Sequence, residues 1–82
     1  MITSAKDLVG RLREFAVLAT EKGSATRCSV HLRVQSDGLL IVAYAGDGSG
    51  RQAARLVDWH DVLAFKGAVS RAMDEATAEA SA

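Results

Sequence analysis

Proline is absent from this 82-residue sequence, cysteine occurs once, histidine twice, and aromatic residues make up only 5%. These shortages exclude several devices that rescue small domains. One thiol, Cys28, cannot build an internal disulfide framework, and with only His31 and His60 beside it a structural zinc site lacks ligands. Net charge is missing too: ten Lys and Arg balance ten Asp and Glu, which argues against a chain whose main task is non-specific phosphate binding. No apolar run reaches the ~18 residues that cross a bilayer, and Met1 to Gly10 lacks the basic-then-apolar pattern of a secretory signal. The expectation is a cytoplasmic protein with no membrane partner.

What is present is a short chain with an uneven charge distribution. At 8.6 kDa, a folded monomer keeps roughly 4,700 Å² exposed out of about 12,500 Å² for the extended chain, so burial is only ~60%. A lone copy is marginal on this arithmetic, and self-association is the remaining route to stability. Residues 1 to 57 carry eight basic and five acidic side chains, whereas 58 to 82 carry two basic and five acidic ones, giving halves of +3 and −3. Fifteen alanines and seven Arg to three Lys suggest a GC-rich genome, that of an actinobacterium or one of its phages.

From Ser4 to Lys22 the residues Leu8, Leu12, Phe15, Ala16 and Ala19 recur at helical spacing, with Ser4 and Asp7 as a capping box and Gly23 as a stop. From Arg27 to Gln35 the pattern changes to alternation, Cys28, Val30, Leu32 and Val34 on one side and Arg27, Ser29, His31, Arg33 and Gln35 on the other, which predicts a half-buried strand. Asp37-Gly38 is read as a two-residue hairpin turn and Leu39 to Ala45 as the returning strand. That turn makes Val34 face Ile41, Arg33 face Val42, Leu32 face Ala43 and His31 face Tyr44. One face of the hairpin is then apolar throughout and forms the core side. The other carries His31 and Arg33 beside Leu40, Val42 and Tyr44, and an apolar outward strand of this kind wants a cover.

The glycine loop Gly46 to Gly50 is followed by Ser49 and Gln52, read as a capping box opening a second helix that runs to the C-terminal region and bends near Asp58, where Asp58 and Asp61 offer a restart. Asp74, Glu75 and Glu79 have the wrong sign for a helix C-terminus, so 77 to 82 is read as a frayed tail. The predicted architecture is α+β, one domain over 1 to 82: helix, β-hairpin, long bent helix, both helices on one side of the sheet, completed by a homodimer that extends or stacks the sheets. This order resembles small nucleic-acid-binding domains in which helices back a short sheet, but their three-stranded versions have a strand that this reading lacks. The likeness is one of topology and transfers no residues.

Catalytic and metal chemistry find little support. Cys28 and His31 fall on opposite faces of the hairpin, and Asp58, His60 and Asp61 are spread around a helix rather than stacked one turn apart. No enzyme, metal or cofactor is expected. The first functional reading is a protein-interaction module, an adaptor or modulator of another protein, using Arg33, Leu40, Val42, Tyr44 and His31. The alternative is nucleic-acid or nucleotide binding at the open end of the hairpin, where Lys22, Arg27, Arg51 and Arg55 gather near the loop at Gly48 and could hold phosphate.

Overall fold

A computed structural model describes residues 5–82 and forms an α+β fold of three helices and a three-stranded antiparallel sheet. The chain order is α1 (Ala5–Thr26), β1 (Cys28–Val34), β2 (Gly38–Ala45), β3 (Gln52–Asp58), α2 (Trp59–Ala64) and α3 (Lys66–Ala80), and the strands lie in the order β1-β2-β3.

Helix α1 follows its apolar spacing, burying Phe15 and Ala19 with Leu12 and Leu18 packed at their margin. It does not stop at Gly23. A Cβ on Gly23 would stand 2.7 Å from the Cys28 carbonyl oxygen, so this glycine lets the start of β1 approach the helix rather than ending it. The helix ends at Arg27, whose φ of 57° lies in the left-handed region and reverses the chain into the strand. The cap expected at Ser4 lies outside the described residues.

The hairpin is present, but its register differs by two residues from the one drawn from Asp37-Gly38. Val34 pairs with Leu39, Arg33 with Leu40, Leu32 with Ile41 and His31 with Val42, and the Gln35 N–H donates to the Gly38 carbonyl at 2.9 Å. The turn is centred on Ser36-Asp37. Gly38 belongs to β2 and pairs with Asp58, where a Cβ would lie 2.3 Å from the Val57 carbonyl oxygen. Close approach of β3, not turn geometry, requires glycine there. Because the slip is even, every side chain keeps its face.

The long second helix does not form as read. Its first quarter, Gln52–Asp58, is a third strand paired along β2, Leu40 to Leu56, Val42 to Ala54 and Tyr44 to Gln52. Ser49 serves the loop instead: Asp47 accepts from its N–H at 2.9 Å, and its hydroxyl accepts from the Arg51 N–H at 3.2 Å. The restart at Asp58 is present, since its carboxylate accepts from the Asp61 N–H and caps α2. A single extended residue, Phe65, separates α2 from α3. The Trp59 indole N–H donates to the Gln35 carbonyl at 2.9 Å and fastens α2 to the β1–β2 turn.

The core lies between one sheet face and the helices. Leu39, Ile41 and Ala43 of β2 meet Phe15 and Ala19 of α1, Val62 of α2, and Val69, Met73 and Ala76 of α3. Both long helices contact each other and sit on this side. Helix α3 carries the chain to Ala80, well into the stretch read as frayed, with Thr77 and Ala80 buried and the Thr77 hydroxyl donating to the Met73 carbonyl at 2.9 Å. Packing against β3 and the start of β1 holds this turn.

The two kinds of glycine predict opposite responses to alanine. Gly10 sits in α1 with nothing within 4 Å of a built Cβ, so Gly10→Ala is expected to stabilise by about 0.5–1 kcal/mol in urea denaturation. Gly38→Ala must push two strands apart and is expected to destabilise by about 2 kcal/mol or more in the same measurement.

Candidate interaction surface

The sheet face turned away from the helices is built by the register. Its rows run Arg33–Leu40–Leu56, His31–Val42–Ala54 and Ser29–Tyr44–Gln52 across β1, β2 and β3. All five residues named from the sequence, Arg33, Leu40, Val42, Tyr44 and His31, therefore share one surface. The His31 and Tyr44 rings meet edge to face, with centroids 5.4 Å apart at 79°, a diagonal cross-strand contact. Val42, central in the sheet, is only 7% exposed because its neighbours crowd over it. Leu56 is 46% exposed. Among the described residues no element lies over this face, and a shallow depression lined by Arg33, Val42, Tyr44, Gln52 and Ala54 runs from it to the β3 edge, where Ala53 and Glu79 of α3 complete the lining.

Sequence reasoning missed Ala54 and Leu56, which widen the apolar strip on β3. No period-two signal marks this strand in the sequence, since both outward residues are apolar and the charged Arg55 falls in the core-side set with Ala53 and Val57.

The residues of the anion reading are placed differently from its premise. Lys22 is salt-bridged to Asp74 at 2.5 Å, Arg51 to Asp47 at 3.2 Å, and Arg55 to Glu79 at 3.1 Å and Glu75 at 3.5 Å. The opposite charges of the two halves of the sequence thus meet in the fold, since Asp74, Glu75 and Glu79 of α3 lie against cations from α1 and β3. Hydrogen bonding to Glu79, reinforced by its charge, raises the Arg55 pKa further above its ordinary value, and the same contact holds the Glu79 carboxyl below the usual range. Arg27 is exposed at the end of α1, and Gly48 takes a φ of 79° in the loop. The depression at this end is lined by Arg27 but equally by Asp47. Hydrogen bonds from the Ser49 hydroxyl and N–H, with Arg51 beside it, lower the Asp47 pKa to about 2. A carboxylate that stays charged at neutral pH repels phosphate.

Cys28 is half-buried on the core side, its Sγ 3.6 Å from the Thr26 carbonyl oxygen and 3.9 Å from that of Thr77, and His31 points from the opposite face. Asp58, His60 and Asp61 come closer together than their spacing suggested, with one ligand atom from each within 4.8 Å of the others. All three are exposed, and the Asp58 carboxylate is engaged as the α2 cap. Exposed acidic groups in this arrangement are ordinary helix-start chemistry.

No helix among the described residues is long and apolar enough to cross a membrane. Comparison of the chain with protein-family models, with curated proteins and with solved structures gives no match.

Proposed function

We propose that this chain is a non-enzymatic interaction module of the cytoplasm that associates with itself and presents its open sheet face to another protein. The observation that carries this reading is the strip Leu40, Val42, Tyr44 and Leu56, contiguous across β2 and β3 on a face that no helix among the described residues covers. Arg33, in the same row as Leu40 and Leu56, supplies the one cation in these rows, so the matching surface is apolar with a carboxylate opposite Arg33.

Phosphate binding has less to support it, since three of its four cations already hold carboxylates. Salt separates the two readings, because phosphate contacts release counterions and an apolar contact does not. A labelled single-stranded oligonucleotide is expected not to bind at low salt. The complex with a protein partner is expected to survive a tenfold rise in salt with little loss. Oligonucleotide binding that falls steeply with salt overturns the proposal.

A further inference from the structure

We propose that the self-association runs through the free edge of β1, which pairs antiparallel with β1 of a second copy about a two-fold axis at His31 and makes a continuous six-stranded sheet. This rests on the interaction-module reading and specifies how its copies join.

The two edges of the sheet are not equivalent. Along β3, the Arg55 guanidinium donates to the Ala54 carbonyl at 2.8 Å and is itself held by Glu79. Ala54 belongs to the set whose polar groups point off the sheet, because Arg51, one of the alternate set, offers its carbonyl to the Ala45 N–H of β2. A long side chain thus blunts that edge. Among the described residues no side chain blunts β1 in this way, and only at its start does the helix come close, with the Cys28 carbonyl oxygen against Gly23. The Arg27 carbonyl accepts from Gly46 and the Gln35 N–H donates to Gly38, so odd-numbered residues of β1 turn their backbone groups toward β2. The even-numbered ones, Cys28, Val30, Leu32 and Val34, direct theirs off the sheet, and among the described residues no strand lies on that side.

An antiparallel self-pair works only if these outward groups meet each other. Pairing Val30 with the partner's Leu32 satisfies the N–H and C=O of both residues, and Val34 then faces the partner's Cys28, whose own carbonyl oxygen is turned against Gly23 of α1. The same register overlaps the full strand and sets His31 opposite its own copy at a non-hydrogen-bonded position, with the side chains close. It also sets Arg33 opposite Ser29, so no like charges are opposed. Val34, on the core side yet 63% exposed, lands beside the partner's Cys28.

The helix beside the edge leaves room for this. Ala19, Thr20, Gly23 and Ser24 of α1 line one shallow groove with Arg27 and with Val30 and His31 of β1, so the helix itself sets small side chains next to the incoming strand.

The test is a charge exchange at the axis, using the full chain. Wild type is expected to sediment as a dimer at micromolar concentration. His31→Lys and His31→Glu each oppose like charges and should weaken dimerisation about ten-fold or more, while an equimolar mixture of the two, one isotopically labelled, should recover a heterodimer in native mass spectrometry. Circular dichroism checks that each variant is folded. Hydrogen exchange gives a second readout: the Val30 and Leu32 amides should be protected in the dimer and lose protection on dilution, whereas those of His31 and Arg33 stay protected in both. A dimer indifferent to both His31 variants with Val30 and Leu32 unprotected overturns the edge pairing and leaves the interaction-module reading standing. A monomer at every concentration overturns self-association itself, and its binding through the open face remains separately measurable.

Discussion

Ile41→Ala is expected to lower the melting temperature by roughly 12–24 °C. Ile41 is fully buried at the centre of the middle strand, beneath α1 and α3. Truncation removes its transfer free energy and leaves a cavity, together about 3 kcal/mol for a residue of this kind. A domain of this length has total stability of only ~4–12 kcal/mol, and each kcal/mol shifts the midpoint by about 4–8 °C. The neighbours limit any collapse that would soften the cost: Leu39, Met73, Val62 and Val69 are fully buried on well-defined elements. Val17→Ala provides the contrast, since Val17 is 60% exposed and its truncation should change stability by about 0.5 kcal/mol or less. Equal shifts for the two variants in thermal melts would mean that the core does not lie where the structure puts it.

How much of this was legible in the sequence follows from which signals are local. The period of α1, the alternation in β1 and the cap at Asp58 are each contained within a few residues, and each formed. The faces of the hairpin were also readable despite the shifted register, because a slip of two preserves the alternation. Strand β3 was not read because Gln52, Ala53, Ala54, Arg55 and Leu56 are good helix formers and Ser49 with Gln52 imitates a helix start. What overrides that propensity is pairing to β2, a partner distant in the chain. The indirect clue was β2 itself. An apolar strand on both faces, Leu39 to Ala45, is the composition of a central strand with neighbours on each side. The use of Gly23 and Gly38 for close approach was not legible, since nothing near them in sequence names the carbonyl that each must admit. Nor was the cancellation of the basic patch, which depends on α3 lying along β3 and α1.

Leu40→Arg and Leu56→Arg together are expected to abolish binding of a partner protein at the open face, a loss of a hundred-fold or more, while leaving the fold intact. On the free chain both side chains project from the uncovered face, Leu56 at 46% exposure, so an arginine can lay its stem along the strand and keep its head in water at a cost of about 0.5 kcal/mol. In a complex that covers the strip, the same guanidinium groups are desolvated opposite apolar side chains without partners, which costs about 3 kcal/mol or more. They also join Arg33 in one row across the sheet, and three like charges there repel. The control pair is Arg27→Ala with Arg51→Ala. Arg51 already holds Asp47, and both residues lie at the opposite end of the strands from Leu40 and Leu56, so this pair should leave protein binding within about two-fold. Circular dichroism and thermal melts confirm that the compared populations are folded, and titration calorimetry reads the affinity. If the arginine-to-alanine pair removes binding while the Leu40 and Leu56 pair does not, the open face is not the contact surface and the end of the sheet that bears Arg27 takes its place.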